Sequence, residues 1–108
     1  MNRLNEKELL DIIGKGESHT IEFKKSTTDI TKDVYESICA FSNRDGGHVF
    51  LEVKDNGEIL GIERDCVEKM KKDFVTVINN ANKMYPPLFL TPVEYELRGR
   101  KILYIYVP

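Results

Sequence analysis

The residues of this chain best suited to chemistry are cations on loops and strand ends, and the chemistry they suit is holding phosphate. Lys24 and Lys25 close a short alternating stretch, Lys32 and Arg44 flank a helical pattern, and Lys54 precedes a turn. Side chains so placed can reach phosphate oxygens. Arg98, Arg100 and Lys101 form a second basic cluster near the end of the sequence. The Lys69-Lys71-Lys72 run instead reads as the solvated surface of a helix. Gly46-Gly47 has the composition of a phosphate cradle, but there is no GxxxxGK[ST] pattern and no following helix N-terminus. The pair reads better as a tight passage from a helix into a buried strand. Tyr95, Tyr104 and Tyr106 could stack on bases, but they read better as strand residues packed in the sheet.

Three carboxylates stand apart. Glu22 is explained as the solvent-facing partner in an alternating strand, and Asp55 as a flank of the Asn56-Gly57 turn. Glu17 follows the helix-ending Gly16 and has no evident capping role. Cys39 and Cys66 lack CxxC spacing and fall beside apolar helical patterns, so they read as buried free thiols. His19 and His48 have no metal-ligand spacing, and no cofactor is expected.

The sequence has 108 residues, with 16 basic and 18 acidic side chains for a net charge of −2. That length suits one domain over residues 1–108 with a single core. A protein that coats DNA is usually strongly basic, so any nucleic-acid binding here must come from a local patch. No apolar run is long enough to span a bilayer, and the opening residues lead into a charged helix and not a signal-peptide core. A cytoplasmic protein with no membrane partner is the expectation.

Hydrophobic periodicity lays out the elements that must position these side chains. Asn5 and Glu8 form a capping box before Leu9, Leu10, Ile12 and Ile13, and Gly14 and Gly16 end this first helix. Ile21 and Phe23 face one way along a strand while Glu22 and Lys24 face the other. Val34, Ile38 and Phe41 give the inner stripe of a second helix. His48–Val53 reads as a buried strand, with Asn56-Gly57 as a type I′ turn returning through Glu58–Ile62. Asp65 and Glu68 suggest a second capping box, for a helix carrying Val67, Met70, Phe74, Val77, Ile78 and Ala81 and stopped by Tyr85-Pro86-Pro87. Two strands joined at Arg98-Gly99 complete the order α-β-α-β-β-α-β-β. The predicted class is α+β: a mixed, largely antiparallel sheet with three packed helices. Its expected core includes Ile38, Phe41, Val49, Leu51, Phe74, Val77 and Ile78. The chain stops at Pro108 directly after an apolar strand, which suggests a domain truncated at its C-terminal end.

Four stretches together resemble the Schlafen AlbA-type domain, also described as a divergent AAA-type DNA-binding domain. They are Gly16-Glu17 with Ile21-Glu22-Phe23-Lys24; Ala40–Gly47; Val53–Gly57 with Gly61; and Ile105-Tyr106-Val107-Pro108. Their order and spacing run through essentially the whole chain. One departure stands out: Glu52 occupies the place before Val53 where family members usually carry Gly. The resemblance implies a DNA-binding domain of a transcriptional regulator, with Lys24, Lys25, Lys32, Arg44 and Lys54 as the nucleic-acid-binding set. Some Schlafen relatives look like nucleases of structured RNA, with carboxylates matching Glu17, Glu22 and Asp55. This implies an alternative in which those three hold Mg²⁺ or Mn²⁺. Such relatives tend to pair two lobes in one chain, and a homodimer could substitute for that here. A third reading is an oligomerisation or partner-docking module.

Overall fold

The computed structural model describes residues 4–26, 28–80 and 88–108. Among them the chain forms α1 (Glu6–Gly14), β1 (Ile21–Lys24), α2 (Lys32–Ser42) and β2 (Gly47–Leu51). A 3₁₀ turn (Arg64–Cys66), α3 (Val67–Ile78), β3 (Val93–Leu97) and β4 (Arg100–Val107) follow. The expected positions of Ala81 and Tyr85-Pro86-Pro87 lie outside the described residues. The strands form one sheet in the order β1-β2-β4-β3. β1 is parallel to β2, and the other two pairings are antiparallel. This is the mixed α+β architecture that the periodicity predicts.

Strand alternation sends apolar side chains to both faces of the sheet. On one face Val49, Leu51, Leu103 and Ile105 pack against Val34, Ile38 and Phe41 of α2 and Met70, Phe74 and Ile78 of α3. On the other, Ile21, Phe23, Phe50, Leu97 and Ile102 pack against Leu9 and Ile13 of α1. Six of the seven expected core residues are buried. The exception is Val77, which is only half-buried, while Val75 packs against the core from the same helix.

The capping box at α1 is present: the Glu8 N–H donates to the Asn5 side chain at 2.8 Å, and the Asn5 N–H to Glu8 Oε1 at 2.9 Å. The second box is absent. α3 is entered through the 3₁₀ turn, with Cys66 as its N-cap and no side-chain capping bond. The Cys66 N–H donates to the Glu63 carbonyl at 2.9 Å and the Val67 N–H to that of Arg64, so the entry to the helix is held by backbone bonds of a tightened turn.

The hairpin after β2 also differs from the expected one. Gly57 N–H donates to the Lys54 carbonyl at 2.8 Å and Lys54 N–H to the Glu58 carbonyl at 2.9 Å. Gly57 has positive φ and Asn56 does not, so a three-residue loop with a bulge replaces the type I′ turn. The predicted return strand Glu58–Ile62 is reduced to a single bridge, Val53 to Ile59. The cause is Glu52, with φ 70°. The Glu52 and Val53 N–H groups both point at the Lys24 carbonyl, at 2.6 and 3.4 Å, and the Leu60 and Gly61 N–H groups point at the Glu52 carbonyl, at 3.0 and 3.4 Å. This bulge breaks the alternation. Val53 therefore joins the α1 face instead of continuing the parity of Val49 and Leu51.

Candidate nucleic-acid interface

The sheet register assigns each candidate cation to an end of the molecule. Lys24 stands opposite Leu51 in the parallel pair, and Leu51 stands opposite Leu103 in the antiparallel pair. The carboxyl ends of β1 and β2 therefore lie at the same end of the sheet as the start of β4 and its turn, Arg98-Gly99. That turn is a two-residue hairpin with positive φ at both residues, the I′ signature. The two basic clusters, distant in sequence, thus share one end.

The Lys54–Gly57 loop sits between them. A cleft of about 320 Å³ is lined by Lys25, Lys54, Asp55 and Asn56. A second cleft, of about 260 Å³, has Asp55, Asn56, Gly57 and Arg98 among its lining residues. Sharing Asp55 and Asn56, the two clefts run from Lys25 to Arg98 across the tip of the loop. Lys25 and Arg98 are exposed and have no ion pair among the described residues. Lys54 reaches Glu58 only at 4.0 Å. Arg100 donates to the Leu60 carbonyl at 2.9 Å, while Lys101 is held by Glu94 at 2.8 Å and Glu96 at 3.8 Å. The hydrogen bond from Lys101 holds the Glu94 carboxyl below its usual range.

Other predicted cations are placed differently. Lys32, the first residue of α2, is exposed near the same end. Lys24 faces α2 and is 17% exposed, with its ammonium 3.0 Å from Asp33 and 3.4 Å from Glu22. Burial pulls its pKa down, but the hydrogen bond to Asp33 and the two carboxylate charges outweigh this, so the net direction is upward. Thr31 and then Lys24 lower the pKa of Asp33. Lys24 is therefore a tether between β1 and α2, not a free phosphate ligand. Arg44 follows α2 and precedes Gly47, the first residue of β2. It lies roughly 15 Å from the Lys54 end by strand rise and does not share a face with Lys24 and Lys54.

The three carboxylates are not gathered into a metal site. Glu17 Oε2 accepts the backbone N–H of Phe23 at 3.1 Å. β1 is an edge strand, and Ser18 also exchanges backbone bonds with Ile21, at 2.9 and 3.3 Å. Glu17 thus shields an edge donor, which supplies the role missing from its local sequence. Glu22 pairs with Lys24, and Asp55 sits in the loop. Among the described residues no group of three His, Cys, Asp or Glu side chains is placed to hold a metal ion. The residues present do not fit a Mg²⁺ or Mn²⁺ centre.

Gly46-Gly47 serves packing. Gly46 has φ 79°, and a Cβ there would lie 2.3 Å from the Val107 carbonyl oxygen; one on Gly47 would lie 2.8 Å from that of Thr20. The functional-site residue missed in the sequence is Glu52, 2% exposed, whose carboxylate accepts the Ser26 N–H at 2.8 Å. It anchors the segment that carries Lys25. The unusual acid at a glycine position was the available signal.

Comparison with known proteins agrees with this architecture. The Schlafen, AlbA_2 family matches residues 17–108. The chain belongs to the Schlafen AlbA_2 family. No curated protein matches it. Among solved structures, this AlbA_2 domain is similar to the N-terminal domain of a RecG-related protein from Nitrosomonas europaea, a candidate ATP-dependent DNA helicase. The identity is 24% and the TM-score 0.69, over 98% of this chain and 74% of that one. A protein from Corynebacterium diphtheriae matches with 17% identity and a TM-score of 0.57, over 82% of this chain and 20% of that one. The AlbA_2 domain thus spans a fifth of the length of the second protein, and at these identities the likeness is one of fold. No helix among its described residues is long and apolar enough to cross a membrane.

Proposed function

We propose that this AlbA_2 domain binds nucleic acid, with DNA as its target, by gripping the phosphate backbone at the end of the sheet that carries Lys25, Lys54 and Arg98. The observation that carries the reading is the pair of clefts meeting at Asp55 and Asn56, with cations on both sides of the loop. Ligands of open α/β sheets favour the carboxyl ends of parallel strands, and these clefts lie at that end of the β1–β2 pair. Family membership and the helicase-related description of the Nitrosomonas europaea protein point to the same class of partner. Contacts of this kind position a backbone and read little sequence.

The test is fluorescence anisotropy of the full chain with duplex DNA across a salt series, comparing wild type with Lys25→Glu/Lys54→Glu/Arg98→Glu. The expected result is measurable affinity at low salt, weakened alike on unrelated sequences by the triple change. No affinity in the wild type at low salt would replace this reading with the partner-docking module.

A further inference from the structure

The far half of the α1 face carries an aromatic surface unrelated to the basic end. β2 and β4 bring His48 opposite Tyr106, and Phe50 opposite Tyr104. The His48 and Tyr104 rings stack at 5.8 Å with an interplanar angle of 19°, and His48 meets Tyr106 at 5.5 Å and 44°. The Tyr104 hydroxyl and His48 Nδ1 are hydrogen-bonded at 2.7 Å. α1 covers Ile102 and Leu97 at the other half of this face and leaves Tyr106 50% exposed. A groove of about 510 Å³ runs here, with Val93, Tyr95 and Phe89 also on its walls. Phe89 is 75% exposed and sits at φ 53°. A non-glycine residue in the left-handed region is sterically disfavoured, and here it holds a large ring in water on the wall of the groove that Tyr106 also lines.

The geometry points to a site for unpaired nucleobases, in which a base of single-stranded nucleic acid stacks on Tyr106 and is flanked by Phe89. This inference rests on the nucleic-acid reading above and adds a substrate form to it. Charge argues for this occupant. No acidic side chain among the described residues lines the groove, although the chain holds 18 of them. A polyanion therefore meets no like-charged side chain among these lining residues, whereas a peptide chosen for basic charge would find nothing to pair with. The volume falls within the range of about 300–1,000 Å³ typical of small-ligand sites. Stacking tolerates any base because every base presents a π-face.

The chain contains no tryptophan, so Tyr106→Trp introduces a single fluorescent reporter that preserves a stacking surface. A short single-stranded thymidine oligonucleotide should quench it. Tyr106→Ala and Phe89→Ala should each weaken single-strand binding by about 5- to 150-fold, the range expected for loss of one stacked base. Duplex affinity should not change in either variant, because paired bases cannot enter the groove. Unchanged single-strand affinity in both alanine variants, or no quenching, overturns the stacking site while leaving duplex binding at the basic end intact. Wild type that binds neither form removes both readings. Concentration-dependent dimerisation abolished by Tyr106→Ala, with no effect on oligonucleotide binding, would assign the groove to a second copy instead.

Discussion

Glu52 holds the backbone N–H of Ser26 at 2.8 Å while its own backbone occupies the left-handed region at φ 70°. The two facts oppose each other energetically. The left-handed conformation costs a non-glycine residue about 1–2 kcal/mol, and a buried donor left without its acceptor costs about 1–3 kcal/mol. Glu52→Ala retains the first penalty and adds the second, so a loss of about 1–3 kcal/mol is expected in urea denaturation. Glu52→Gly also strands Ser26 but relieves the backbone, and should be more stable than Glu52→Ala by about 1–2 kcal/mol. The reverse order would show that the bulge carries no strain.

Phe74 and Val77 lie on one helix and should respond differently. Phe74 is fully buried between the sheet and Tyr35, whose ring stacks on it at 6.0 Å. Phe74→Ala should cost about 3–5 kcal/mol, enough to leave so small a domain largely unfolded. Val77→Ala, at a half-buried site, should cost less than about 1.5 kcal/mol in the same denaturation experiment.

Asp55 separates the phosphate-binding reading from the nuclease one. Asp55 lines both clefts between Lys25 and Arg98, and a negative charge there opposes an incoming phosphate. Asp55→Asn should therefore tighten duplex binding, by about two- to three-fold at low salt and less as salt screens the charge. Were Asp55 a metal ligand for cleavage of structured RNA, the same change would abolish a Mn²⁺- or Mg²⁺-dependent activity present in the wild type.

Individual cations should fall into two groups in the salt dependence. Removing Lys25 or Arg98 should flatten the slope of log K against log salt by about 0.9 for each duplex phosphate that is no longer neutralised. Arg44→Ala, at the opposite end of the sheet, should leave the slope unchanged. Equal effects from Arg44 and Lys25 would mean that DNA does not approach along the carboxyl ends of β1 and β2.

His48 gives the fold a pH dependence of known sign. Burial, and secondarily Lys15, lowers its pKa below the ordinary 6.5. The unfolded chain therefore takes up a proton at higher pH than the folded one. The stability associated with neutral His48 is complete above about 6.5 and is lost as pH falls through the folded value. His48→Gln should flatten this part of the curve of unfolding midpoint against pH. An unchanged curve would assign the acid loss to other groups.

Most of the elements and their class were legible in local sequence pattern. The 3.6-residue recurrence of Val34, Ile38 and Phe41, and the alternation of Ile21 and Phe23, bury the side chains expected of them because local periodicity decides which face of an element is apolar. The same local logic identified the Asn5–Glu8 capping box and the Arg98-Gly99 turn. Tertiary structure decided what local pattern cannot carry. The bulge at Glu52 moved Val53 to the other face, because a single left-handed residue resets the two-residue period of everything after it. Glu17 had no local partner because its acceptor role is toward the edge of β1, set by sheet order. The joining of Lys25 to Arg98, and the exclusion of Arg44, follow from pairing Leu51 with both Lys24 and Leu103. Strand direction and register, which are long-range properties, put residues far apart in sequence at one end of the molecule and Arg44 at the other.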